Sequence, residues 1–377
     1  MTMNRKNPPL IIGFMLSLLL ATVSAGCSSD VDESHEQRVP VSFSTSFFKV
    51  STTRSTLDNI WPNNFQITIS DGTGKTYTYQ TADNSSELAS GATSSLKPVT
   101  DAIYWDNPTV VFSAWAPAGG TAAPASWTVP ADQSILDNSD PDNPKGISDA
   151  AYLANDLLYC PPEITTFTFQ QSTPIHLQFH HELARIIVRI NSSYTEGHEE
   201  TVDEVTVTKK EVVENVAFGG NRLALSGTIT HSTTGANGST TWALPETKNL
   251  SITKMRPLAS LTNASNNVYA FECIVIPQAN TTTTDALIDI TTSGAEDHTH
   301  TLVARTYTYK SAFEFKSGYQ YTYDLAISEQ GTVTLDRVKV QDWDGTVVAV
   351  DNGAVIPANS YPMPSTSEPP SEPEPNP

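Results

Sequence analysis

The sequence predicts an all-β protein made of two antiparallel β-sandwich domains. Apolar residues recur at every second position in short runs, the period of a strand with one buried face. Gly, Asn, Asp and Pro separate those runs and supply turns. No segment sustains the 3.6-residue apolar period of an amphipathic helix.

The chain opens on an address rather than on a strand. Arg5 and Lys6 precede Leu10–Val23, an uncharged run of 14 residues. That length suits a signal-peptide core and falls short of the roughly 20 residues of a membrane-spanning helix. Ser24-Ala25-Gly26-Cys27 follows directly, and small residues before a cysteine resemble a bacterial lipobox. Residues 1–26 are therefore expected to be removed as a lipoprotein signal peptide, with Cys27 as the lipidation site. Two or more acyl chains on one cysteine give stable anchoring. Residues 27–38 are polar and acidic, as befits a solvated tether.

Strands begin at residue 39. Val39, Val41, Phe43, Thr45 and Phe47 alternate with Pro40, Ser42, Ser44 and Ser46. Phe65–Ile69 repeats the alternation, Asp71-Gly72-Thr73-Gly74 turns the chain, and Tyr77 and Tyr79 follow. Thr109–Trp115 is the next strand, ended by Pro117 and Gly119-Gly120. Residues 119–148 read as a long surface loop, and a short helix is expected near Asp149–Leu158. The strand-poor stretch around Pro161-Pro162 sets an expected boundary between domains at 39–163 and 164–356. Strands resume at Thr165–Phe169, Ile175–Phe179, Ile186–Ile190, Glu204–Thr208 and Leu225–Thr230. Tyr269–Ile276, Ala286–Ile290, Thr301–Tyr309, Gln320–Ile327 and Val333–Val340 complete the set. Residues 357–377 form a Pro/Glu-rich tail expected to be disordered, its last 19 residues holding seven prolines.

Charge narrows the function. The whole chain has 41 acidic and 21 basic residues; without the leader's two basic residues the balance is 41 to 19, a net charge of −22. Such a surface repels phosphate backbones, so no nucleic-acid partner is expected. Cys160 and Cys273 remain after Cys27. They could pair in an oxidising compartment, or serve as small buried apolar residues.

No catalytic constellation is visible, and neither an enzyme activity nor a cofactor is expected. A nucleophile elbow, a phosphate loop and a dinucleotide fingerprint are all missing. Asp297-His298-Thr299-His300 lacks the further ligands a metal site needs and reads as a polar turn. His180-His181-Glu182 reads as a structural, half-buried group. Tyr319, Tyr321 and Tyr323 share one strand face and read as a packing stripe. Trp127 and Trp343, the latter within Asp342-Trp343-Asp344, are the candidates for an aromatic glycan platform.

Several segments together resemble the fimbrillins of Bacteroidetes, the subunits of type V pili. They are Ile103-Tyr104-Trp105 with the Val110–Pro117 strand, Asn155–Tyr159 and Leu177–Val188. Val275-Ile276-Pro277-Gln278, Phe315–Tyr321 and Val338–Trp343 follow in order. The likeness covers roughly residues 39–350. The acidic stretch after Cys27 also resembles the surface-export signal of lipoproteins from that group. The resemblance implies two tandem transthyretin-like sandwiches, placement in the outer membrane through the lipid, and other fimbrial subunits as partners by donor-strand exchange. It also implies proteolysis after the first strand. Here Arg54, within Ser51–Thr56, is the expected protease cleavage site; a cut at Arg38 would leave the strand in place. The family's stalk subunits donate a C-terminal strand, and only Thr346–Ile356 is apolar enough here. If that segment completes its own domain, the subunit suits a tip or accessory position. The alternative is a surface lipoprotein that binds host or bacterial glycans without polymerising.

Overall fold

The computed structural model describes residues 39–47, 61, 63–82, 93–134, 136–137, 145–146, 154–167, 173–192, 197–202, 205–210, 212–233, 239–258, 261–263, 267–296, 302–328, 331–343 and 347–351. The described residues cluster as one compact unit.

The described chain is all β. In order, the first strands are β1 (Phe43–Phe47), β2 (Gln66–Ser70), β3 (Thr76–Thr81), β4 (Ser94–Pro98) and β5 (Thr109–Ala116). Three short pieces follow: β6 (Ser126–Thr128), β7 (Leu136–Asp137) and β8 (Lys145–Gly146). Next come β9 (Leu158–Thr166), β10 (Ile175–His181), β11 (Ala184–Asn191), β12 (Gly197–Val202) and β13 (Val205–Lys210). Then follow β14 (Val213–Leu223), β15 (Ser226–Thr230), β16 (Thr241–Ala243), β17 (Leu250–Ile252) and β18 (Arg256–Pro257). The series ends with β19 (Val268–Val275), β20 (Gln278–Asn280), β21 (Ala286–Glu296), β22 (Leu302–Lys310), β23 (Phe313–Phe315), β24 (Tyr319–Ile327), β25 (Val333–Asp342) and β26 (Val347–Asp351).

The first half is a closed sheet in the order β1-β10-β9-β5-β2-β3-β4, with β4 returning to β1. Alternation fills its interior with Phe43, Ile67, Ile69, Phe112, Ala114, Leu177 and Phe179, each at most 1% exposed. The second half packs a six-stranded sheet, β18-β19-β11-β24-β25-β26, on a four-stranded one, β17-β14-β21-β22. Phe218 of β14 meets Tyr323 of β24 across this core, ring centroids 6.3 Å apart. Tyr319, Tyr321 and Tyr323 are all buried, so their stripe is core packing.

Three expectations need correction. The boundary drawn at residue 163 falls inside β9, which belongs to the closed sheet together with β10. Pro161 and Pro162 lie at a register shift between β5 and β9, where a missing N–H breaks no ladder bond. The helix expected near Asp149–Leu158 is not formed in its described part. Leu157 and Leu158 are fully buried, and Leu158 opens β9. The third correction concerns residues 119–148, whose described part is not merely surface loop. β6 joins β15 and β16 of the second half, Val129 N donates to Leu225 O at 2.9 Å, and Val129 is 1% exposed. The Gln133 amide acts as a surrogate peptide: its Nε2 donates to Ile274 O at 2.7 Å and its Oε1 accepts from Ile274 N at 2.8 Å. An excursion from the first half thus straps the second.

β14 was not among the expected strands, and Gly219-Gly220-Asn221 lies within it. All three have positive φ, and the pairing with β17 shifts register there, so they form a bulge inside one long strand. A Cβ on Gly220 would sit 1.9 Å from Ala286 O, so only glycine fits.

An ion network crosses the back of the six-stranded sheet. Arg185 Nε and Nη2 donate to Glu272 Oε2 at 3.0 and 2.7 Å, and Nη1 donates to Gln320 Oε1 at 3.0 Å. Arg256 Nη1 donates to Glu272 Oε1 at 3.2 Å. Arg185 and Glu272 are 1% and 0% exposed. Removing one member of such a pair strands the other in low dielectric. Glu272→Ala should therefore lower the unfolding free energy by about 3–5 kcal/mol in chemical denaturation; a loss below about 1 kcal/mol would show that the network carries no such weight.

Candidate functional site

The site begins with the side-chain alternation of residues 41–46. Val41, Phe43 and Thr45 face the interior at 5%, 1% and 0% exposure, and Ser42 and Ser44 face outward. Residues of this type make a strand that is half apolar and half hydroxyl-bearing. The fold places it in the middle of the closed sheet. β1 runs parallel to β10, from Phe43↔Ile175 to Phe47↔Phe179, and antiparallel to β4, from Phe43↔Leu96 to Thr45↔Ser94. Just ahead of it, Val41 N donates to Ile103 O at 2.8 Å and Trp105 N donates to Val39 O at 2.9 Å.

Packing reinforces that pairing. Phe43 meets Tyr79 and Phe112 edge-on, with centroids 5.4 and 5.1 Å away. On the outer face a single imidazole spans two serines: His176 Nδ1 is 3.2 Å from Ser44 Oγ and Nε2 is 2.8 Å from Ser46 Oγ. Burying Val41 and Phe43 contributes roughly 1.5–3 kcal/mol each. Taken out, this strand would leave an apolar slot between β10 and β4 with ladder groups unpaired on both walls.

The opposite end of the chain is engaged within its own sheet. β26 pairs with β25, from Val338↔Asp351 to Gln341↔Val347, as the edge of the six-stranded sheet. The described part of Thr346–Ile356 is therefore a home strand. Cys27, Arg54 and Asp297–His300 lie outside the described residues. Trp343 is 4% exposed and stacks on His181 at 3.9 Å and 5°, which removes it as an open platform. Trp127 is half-buried, its Nε1 donating to Asn155 O at 2.9 Å. Cys160 and Cys273 are both free and buried, and burial pushes the Cys160 thiol up to about 12. They serve as small core residues.

A polar junction joins the two halves, which sequence reasoning found only in part. His180, His181 and Glu182 were visible as a group; Asp156 stood out only within the family-like segment Asn155–Tyr159 and His231 not at all, because they lie 25 and 50 residues from His181 and nothing local ties them to it. Asp156 Oδ2 is 2.5 Å from His181 Nδ1. His231 Nδ1 is 3.7 Å from Glu182 Oε2, its Nε2 donates to Pro124 O at 2.8 Å, and its ring stacks on Tyr159. Trp242 Nε1 donates to Glu182 O at 3.2 Å. The groups brace the two-residue link between β10 and β11 and assemble no nucleophile with a base.

The sequence matches the profile of the family described as fimbrillin-like over residues 53–343. The chain belongs to the fimbrillin-like family. Similar solved structures include one described as a cell adhesion protein from Bacteroides uniformis, with 18% identity, a TM-score of 0.46, and coverage of 81% of this chain and 98% of that one. A fimbrial assembly protein from Parabacteroides distasonis has 12% identity and a TM-score of 0.34, covering 83% of this chain and 100% of its own. A fimbrial protein from Bacteroides ovatus has 14% identity and a TM-score of 0.33, covering 83% of this chain and 54% of its own. Among curated proteins none matches.

The junction of this fimbrillin-like chain is expected to depend on pH. Burial, aided by the neighbouring His181, lowers His180 to about 4, against about 6.5 in an unfolded chain. Between those values the unfolded state binds the proton and the folded state refuses it, so stability falls as pH drops from 6.5 towards 4. Burial pushes the Asp156 carboxyl up, opposed chiefly by His181, and this works in the opposite direction. Comparing wild type with His180→Gln isolates the histidine. The wild type should lose on the order of 2 kcal/mol more than the variant over that range, read by denaturation at each pH; parallel profiles would contradict the shift.

Proposed function

We propose that the chain is a subunit of a type V fimbria, assembled by protease-triggered strand exchange and supporting adhesion at the cell surface. Residues 1–26 direct export, Cys27 carries the lipid that holds the precursor in the outer membrane, and the two halves are tandem transthyretin-like sandwiches. Cleavage after Arg54 separates lipid and β1 from the remainder. A strand from another fimbrial subunit then fills the slot and restores both ladders.

The observation that carries this reading is the place of β1. It is the one segment ahead of Arg54 with a described role in the core, and it sits between two partners rather than at a sheet edge. A cut at Arg54 would turn an edgeless sheet into one with two facing edges. Family membership supports the same assembly, and the position of β26 in its own sheet supports a tip or accessory place over a stalk place. The glycan-platform reading loses Trp343, its main residue. No described group supports an enzymatic role.

The decisive experiment treats the secreted chain with a trypsin-like protease. Residues 55–377 should be released intact and, with a partner subunit, form polymers that survive detergent and dissociate on heating. Arg54→Ala should block both steps. Unchanged polymer formation by that variant would refute the assignment of Arg54.

A further inference from the structure

Among the described residues of β1, Thr45 fits its surroundings least well. It is 0% exposed, and its hydroxyl finds no hydrogen-bond partner among the described residues. Its register neighbours are Leu177 on β10, an alkyl side chain, and Ser94 on β4, whose hydroxyl donates to Ser95 O at 3.4 Å. A buried hydroxyl that gives up water and gains no partner weakens the state that holds it. Valine has nearly the same volume and the same β-branch, and differs by a methyl in place of the hydroxyl. The slot is thus shaped for a branched aliphatic residue where β1 brings a threonine.

The outer face imposes a second condition. The His176 imidazole holds hydroxyls at two positions, two residues apart, and so fixes the register of whatever strand lies in the slot.

We propose that the slot is selective for a strand of another subunit that carries Val at the place of Thr45 and hydroxyl residues at the places of Ser44 and Ser46. β1 is the weaker occupant, and the difference gives strand exchange its direction. This rests on the proposed release of β1 and goes further by specifying the donor. A second copy of this chain is a poor donor. Its only C-terminal apolar segment, Thr346–Ile356, is interrupted by Asp351-Asn352-Gly353, and β26 within it already pairs with β25.

The test uses the full secreted chain cleaved after Arg54, with three synthetic peptides competing for the slot: residues 39–50, the same peptide with Thr45→Val, and residues 346–356. The Thr45→Val peptide should bind about tenfold more tightly than the native one, equivalent to about 1.4 kcal/mol, and residues 346–356 should not compete. Equal or weaker binding by the Thr45→Val peptide overturns the inference while leaving strand release intact. Tighter binding by residues 346–356 overturns the choice of a different subunit as donor. Failure of every peptide to enter, with the native fragment retained, overturns the release of β1 and this inference with it. In the uncleaved chain Thr45→Val should raise the unfolding midpoint, and after cleavage it should slow exchange; an unchanged exchange rate counts against the proposal.

Discussion

The molecule depends on a backbone constraint. Every N–H and C=O in a buried strand must find a partner, and in the first half that requirement is met by closing the sheet on itself. β1 is the strand that completes the closure, and it comes from the start of the described chain, far in sequence from β10 and β4. A long-range closure of this kind makes the sheet edgeless only while one short segment stays in place. Its side chains contribute a few kcal/mol and its ladder groups the remainder, so the segment is stable in place, and its proposed exchange would need another strand of the same pattern.

The second half has the larger core, to which the excursion from the first half adds Val129. Its two sheets share one apolar cluster, and β26 is accommodated at an edge without leaving a vacancy. The halves are tied at two levels. β6, Val129 and Gln133 reach over from the first half, while the His181–Asp156 and Glu182–His231 groups brace the link between β10 and β11. Such buried polar contacts add little net stability, since desolvation offsets most of their attraction. Their directional bonds do fix how β11 leaves β10. A β10 braced at its C-terminal end would keep that end of the slot's parallel wall in shape if β1 were released.

Much of this was legible in the sequence. Period-two alternation located β1, β2 and β10, and short apolar runs between turn residues located β5, β11 and several longer strands of the second half, β11 being buried on both faces. Other parts were hidden, β4 among them, and three of these have separate reasons. β14 was masked by Gly219-Gly220-Asn221, whose backbone freedom serves a bulge instead of a turn. β9 was masked by paired prolines that sit where the ladder is already broken. The strap around Val129 and Gln133 was masked by polar composition, since one amide side chain and one valine engage a distant strand without any periodic pattern. The site was half visible. The strand follows from local sequence, but that β1 lies between two walls depends on pairings more than 40 and 100 residues away.

The contrast between the chain's two ends has a consequence for its place in a fibre. In a head-to-tail polymer each subunit must both offer a slot and lend a strand. In the proposed assembly the slot would follow from one cut, while β26 is hydrogen-bonded at home and lies in a segment interrupted by Asp351-Asn352-Gly353. A subunit that accepted without lending could occupy only one end of a chain of exchanges. It would stop growth in one direction, which is the tip or accessory place proposed above.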